Sequence, residues 1–298
     1  VVTQPQAGIF QEGSRHFYFL EYQLNLALPT TQISQALAKL INQPHPGVHL
    51  VVAFGPTAWK TLQPNWQPEE LVEFTTLSGP EGHEAPSTQG DLLIWLHGEH
   101  QDAVFDQVLA AQQYLGELGI NQLDLAGFTY HDSRDLIGFV DGTANPKADQ
   151  RHQAAIIPEG KPGAGGAYVL SQKWVHNLTD FNALPINMQE KVVGRTKKDD
   201  IELTGDAMPE DSHVSRTDAK VGDRPLKIYR RSAPYGNAHQ QGLYFLAFAC
   251  EMDRFQVQLE RMYGLSEDGI YDKLMDFSKA VTGSYWFAPA TEDLQQLL

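Results

Sequence analysis

The feature that most constrains this chain is an order of strands and helices that is written twice. Residues 16–24 (HFYFLEYQL) alternate as a strand does, and residues 31–42 (TQISQALAKLIN) carry a helical period with Thr30 or Thr31 as N-cap. Residues 50–54 read as a strand. After a Pro/Gly/Ser-rich stretch over 64–90, residues 92–97 read as a strand, 102–118 as the longest amphipathic helix and 123–130 as a strand. The second half repeats this: a strand near 167–175, a helix near 182–193, strands near 226–231 and 243–250, a helix over 254–263 and a strand at 284–287. Each half is therefore β-α-β-β-α-β, and the chain reads as α+β, built from two ferredoxin-like modules with antiparallel sheets. Helices on one face of each sheet free the other faces to pack together, as in a dimeric α/β-barrel, and leave ligand space between sheet and helices. The expected division is an N-terminal module over 1–132, a linking segment over 133–166 and a C-terminal module over 167–298.

Charge and length narrow the function. With 22 Lys plus Arg against 37 Asp plus Glu, the net charge is 22 − 37 = −15, which repels phosphate backbones and anionic membranes, so neither nucleic acid nor a membrane is an expected partner. A chain of 298 residues that is 42% hydrophobic can bury a core, which excludes general disorder. The single cysteine, Cys250, lies in the apolar run GLYFLAFAC and reads as a small buried hydrophobe. The N-terminus lacks a basic stretch followed by an apolar core, and no apolar run reaches membrane-spanning length, so the expected location is cytoplasmic.

Two irregular stretches, 130–166 and 197–223, are too long for simple turns and hold most of the unusual polar residues. In residues 138–146 (GFVDGTANP), Asp141 sits between glycines that let the backbone approach a flat ligand; taken alone, an Asp-Gly pair is most often a turn with a solvated carboxylate. In residues 210–216 (EDSHVSR), His213 is a lone histidine in a polar loop, a setting in which most histidines bind no metal. His97 with His100, and His45 with His49, lack the helical spacing of a zinc site. Along residues 227–232 (KIYRRS), strand alternation sends Arg230 to one face with Ile228 and Ser232, and Arg231 to the other. A buried Arg230 needs an anionic partner; a surface salt bridge is the plainer alternative.

Together, the 138–146 segment, the His213 loop and residues 228–236 (IYRRSAPYG) resemble the signature segments of dye-decolourising peroxidases, in their order and separation. The resemblance runs from about Gly8 through the segment VTGSYWFAP at 281–289 and is strongest to the compact bacterial cytoplasmic subgroup. It implies two ferredoxin-like modules with haem b (iron protoporphyrin IX) in the C-terminal one. No Cys-x-x-Cys-His motif is present for a covalent haem link.

The resemblance also implies an activity: reduction of hydrogen peroxide and oxidation of dyes, phenols or other small reductants through a ferryl intermediate. His213 would ligate the iron and donate its other N–H to a carboxylate, for which Asp276 is the expected partner. Asp141 would move the peroxide proton, and Arg230 would hold it ionised while stabilising charge on the departing oxygen. Ser232 would anchor a pocket water, and Arg195 and His176 would meet the haem propionates. A helix C-terminus that favours cations is the alternative reading of Arg195. Bulky reductants cannot enter a sealed pocket, so Tyr130, Tyr235 and Trp286 are candidate electron relays, with core packing as the alternative. Relatives commonly self-associate, so a homo-oligomer is expected. The competing function is haem handling: storage, delivery or iron removal.

Overall fold

The computed structural model describes residues 3–298. In the first half the strands are β1 (His16–Leu24), β2 (Val48–Phe54), β3 (Leu92–Gly98) and β4 (Gly119–Phe128), with helices α1 (Thr30–Asn42) and α2 (Gln101–Leu115) between them. In the second half β5 (Ala167–His176) is followed by α3 (Leu178–Ala183), α4 (Ile186–Val193) and α5 (His213–Thr217). Then come β6 (Tyr229–Arg230), β7 (Ala233–Gly236), β8 (Gln241–Ala249), α6 (Asp253–Met262) and β9 (Ser284–Ala288).

Both halves have the same ferredoxin-like strand order, second-third-first-fourth: β2-β3-β1-β4 and β6-β8-β5-β9, with every pairing antiparallel. The sheets join where β9 meets β2 at Phe287 and Phe54. At the opposite end β7 packs along β4, where a Cβ on Gly127 would stand 3.1 Å from both Ala233 Cβ and Pro234 O. Strand pairing at one seam and side-by-side packing at the other wrap the two half-sheets into one barrel.

Strand alternation divides the core in two. Phe19, Val51, Leu93 and Trp95 meet Val169, Tyr244, Phe248 and Trp286 inside the barrel. Their neighbours Leu20, Val52, Ile94 and Leu96 face outward against Ile33, Leu37, Val104 and Val108 of α1 and α2. One acid interrupts the apolar interior. Glu21 accepts hydrogen bonds from Ser171 Oγ (3.0 Å) and Tyr244 OH (2.5 Å), and Trp286 Nε1 donates to Ser171 Oγ at 2.8 Å. Burial pushes the Glu21 carboxyl above its usual range, and these donors offset only part of that.

Where elements differ from expectation, local chemistry explains it. The helix expected over 182–193 breaks in two at Leu184–Pro185, because proline has no N–H to donate and restricts the residue before it. Of the strand expected over 226–231 only Tyr229–Arg230 (β6) forms; a further strand, β7, follows at 233–236, and both pair with β8 in one unbroken register. Between them the Leu246 N–H donates to Ser232 Oγ (3.3 Å), where a regular strand would offer a main-chain carbonyl. His213 does not lie in a loop but opens α5, with Ser212 as N-cap accepting from Ser215 N at 3.2 Å. Short helices at Pro56–Leu62, Asp149–Ala155 and Thr291–Leu297 were not expected. Cys250 is buried, as its apolar run implies. Among the described residues, no helix is long and apolar enough to cross a membrane.

Candidate active site

A cavity of about 350 Å³ opens in the second half, between the outward face of the sheet and the segments that cover it. Leu170, Gln172 and Trp174 from β5 and Leu243 and Phe245 from β8 form the sheet wall; α5 and α6 supply His213, Phe255 and Leu259 opposite them in the layering. Asp141, Arg230, Ser232, His176 and Arg195 line the same space.

His213 reaches this cavity because the Ser212 cap starts a helix there. Its Nδ1 is 2.6 Å from Asp272 Oδ2, and Asp272 is fully buried, so the imidazole is held in one tautomer and orientation. No described residue pairs with Nε2. Burial alone would lower the imidazole's pKa, but the Asp272 carboxylate outweighs it and the net direction is up. The carboxylate expected here was Asp276, and that assignment is corrected. Asp276 lies on the exposed side of the Lys273–Asp276 turn, with Lys273 Nζ at 2.8 Å and His83 Nε2 at 3.3 Å. Asp272 caps that turn, accepting from Leu274 N at 2.9 Å. An Asp placed before a short helical turn is a capping signal, and it was the one cue in the sequence that separated the two acids.

The Asp141 loop owes its shape to Gly138 (φ +93°) and Gly142 (φ +97°), conformations that side chains disfavour. Its main chain is tied down by Asp141 N donating to Ser133 O (2.9 Å) and by a bridge between Arg134 and Val140. Asp141 Oδ1 stands 3.7 Å from Arg230 Nη2: near enough for electrostatic attraction, too far for a hydrogen bond. Burial pushes the Asp141 carboxyl up, Arg230 pulls it down and Asp135 pushes it up again, leaving it raised. Arg231, on the other face, lies over the Trp95 ring at 5.0 Å and donates to Ile9 O and Gln11 O, as strand alternation requires.

Arg195 and His176 line the cavity with acids of their own. Arg195 donates to Asp200 Oδ1 (2.6 Å), Asp200 O (2.6 Å) and Glu202 Oε2 (2.9 Å), three of the five N–H bonds a guanidinium carries. His176 bridges Asp135 Oδ2 (3.1 Å) and Ser278 Oγ (2.7 Å). Asp135 was not foreseen. Tyr130, Tyr235 and Trp286 stand outside the cavity lining; Tyr235 OH donates to the carbonyl of Trp174, which does line it (2.9 Å).

A flat metalloporphyrin suits this donor set. It offers one imidazole nitrogen without a protein partner, backed by a buried carboxylate, an apolar sheet wall, and spare guanidinium N–H bonds for carboxylate side chains. Fold and site thus define a haem-holding oxidoreductase of the dimeric α/β-barrel class. Residues 6–128 match the family described as Dyp-type peroxidase, N-terminal, and residues 132–293 match Dyp-type peroxidase, C-terminal. A dye-decolorizing peroxidase of Mycobacterium tuberculosis is 37% identical over 266 residues, 87% of this chain and 78% of that one. The crystal structure of a dyp-type peroxidase protein from Shewanella oneidensis superposes with a TM-score of 0.92 at 33% identity, covering 99% of each chain. A DypB variant from Rhodococcus jostii RHA1 in complex with heme gives 0.89 at 31% identity, covering 98% of this chain and 97% of that one.

The chain belongs to the Dyp-type peroxidase family. It is a haem-dependent peroxidase, an oxidoreductase acting on hydrogen peroxide and a reducing substrate. These similarities favour that activity over haem storage, delivery or iron removal.

Proposed function

We propose that Asp141 and Arg230 handle the peroxide and that His213 is the iron ligand. The observation that carries this reading is convergence. An imidazole from the helical wall, a guanidinium from the sheet wall and a carboxylate from the linking loop line one cavity, although 89 positions separate Asp141 from Arg230 (230 − 141 = 89). Haem, when bound, supplies the electrons that break the O–O bond and keeps the oxidising power for the reductant. Ionised Asp141 takes the proton from one peroxide oxygen and returns it to the other, which leaves as water with both protons. Arg230 stabilises the negative charge that develops on the departing oxygen. Through Nε2, His213 would hold the iron, with Asp272 fixing the ring and raising its basicity.

Arg195, with two N–H bonds in reserve, and His176 are the proposed partners of the propionates. Ser232, beside Arg230 on the cavity wall, is proposed to hold a water. Tyr130, Tyr235 and Trp286 remain the proposed route for electrons from reductants too bulky to enter. The charge of −15 favours neutral or cationic reductants over anionic dyes, and a homo-oligomer is the proposed assembly.

The test is rapid mixing of the haem-loaded protein with peroxide, followed by absorption. Asp141→Asn and Arg230→Ala should slow the reaction by about 10²–10⁴-fold and 10²–10³-fold; wild-type rates in both would remove the roles given to them. The pH dependence has a definite sign. Asp141 works ionised, so the rate falls as pH falls through its raised pKa. Arg230→Ala, which removes the cation that lowers that pKa, should move this limb to higher pH.

A further inference from the structure

We propose that Asn145 is a positioning residue that sets the spacing of Asp141 and Arg230 by clamping the Arg230 main chain with its side-chain amide. This inference rests on the roles given above to those two residues. Asn145 Nδ2 donates to Arg230 O (2.8 Å), and Arg230 N donates to Asn145 Oδ1 (2.8 Å). The paired donor and acceptor reproduce what a neighbouring strand would offer. β6 is only two residues long and pairs with β8 along one edge, at Tyr229 with Phe248 and Arg230 with Ala247. On its other edge the Asn145 amide takes the place of a strand.

Asn145 also closes the turn that directly follows Asp141, its N–H donating to Gly142 O at 3.0 Å. One side chain therefore ties the acid's loop to the peptide of the guanidinium residue. The two functional groups do not hold each other: at 3.7 Å they share no hydrogen bond, and both are partly exposed to the cavity, 29% for Asp141 and 26% for Arg230. Their separation must come from their backbones, and Asn145 links those backbones directly. Asp141 and Arg230 line both the main cavity and a smaller pocket, and Asn145 lines the smaller one together with Glu12 and Arg231.

Spacing is read as a pH midpoint. The charged and titratable groups facing Asp141 are Arg230, Asp135 and His213 from the cavity, with Glu12 and Arg231 across the smaller pocket. Of these, Arg230 is the cation whose distance the clamp controls. Letting it drift should raise the pH midpoint of the peroxide reaction by about one unit.

The experiment compares Asn145→Ala and Asn145→Gln with wild type in the haem-loaded protein. It follows the pH midpoint of peroxide reduction, the pH midpoint of cyanide association, and Tm. Asn145→Ala should shift both midpoints upward and lower Tm. Asn145→Gln keeps an uncharged amide on a longer arm, so it should hold Tm near wild type while still shifting both midpoints. Shifted midpoints in Asn145→Gln with Tm retained support the clamp. Wild-type midpoints in both variants, whatever their Tm, would overturn it, as would a Gln variant that restores midpoint and Tm together. An unaltered peroxide rate in Asp141→Asn would overturn the reading of Asp141, whereas slowed Asp141→Asn beside unshifted Asn145 variants would overturn the clamp alone.

Discussion

The two halves share one strand order, and only one of them has an interior to use. In the first half, α1 and α2 lie directly on the sheet, and Ile33, Leu37, Val104 and Val108 fill the space above Leu20, Ile94 and Leu96. In the second half the corresponding helix is broken at Pro185 and followed by the long segment that delivers α5. The covering layer is displaced, and the sheet face from Leu170 to Trp174 looks into a cavity. A duplicated scaffold becomes a cofactor site when one copy gives up its close helix-on-sheet packing. The same long segment then brings in the residue that the cavity needs, His213.

The largest expected effect falls on the half with the cavity. His213→Ala should lose haem, or lose the imidazole-ligation signature in its absorption spectrum, while far-UV circular dichroism stays close to wild type because the first half needs no haem to pack. Retention of the wild-type spectrum would show that another group holds the iron. Asp272→Asn, which weakens the acceptor behind His213, should cost about 10–100-fold in haem affinity or activity.

In the filled half the response should be reversed. Ile94 is fully buried, and Ile94→Ala should cost about 2–5 kcal/mol of stability in denaturant titration while leaving the haem spectrum unchanged. Leu170→Ala, on the cavity wall, should destabilise the haem-free protein less and loosen haem more. Equal stability losses with unchanged haem affinity in both would erase the contrast between the halves.

The smallest effect concerns the contact between the halves. Glu21 from the first accepts from Ser171 and Tyr244 of the second, and its pKa is raised in the folded protein. A raised carboxyl stabilises the fold fully below the unfolded carboxylate range, at about pH 4.3 for Glu, and that contribution is lost as pH rises through the folded value. Glu21→Gln removes the titration, so its Tm should fall less steeply over that window. A Tm profile parallel to wild type would mean that Glu21 does not titrate there.

Much of the architecture was legible because strand and helix periods are local properties. The two β-α-β-β-α-β runs, the opposite facing of Arg230 and Arg231 and the burial of Cys250 all follow from short-range pattern. The site was legible in part. Asp141, Arg230 and His213 were marked by segments that resemble those of a known family, and the structure brings all three to one cavity. Asp272 was missed in favour of Asp276 because four residues of spacing say nothing about which acid faces inward. Nothing local marks Asn145 as more than a loop residue, since its partner is a peptide 85 residues away.

The sequence by itself determined the repeated order of elements, the negative charge and the residue types available for peroxide chemistry, since each is fixed by neighbours a few positions apart. Tertiary structure alone decided which copy stays filled and which opens, which acid stands behind His213, and how far Asp141 lies from Arg230. The physical reason is that burial and separation depend on groups distant in the chain, and those are fixed only when the two seams close the barrel.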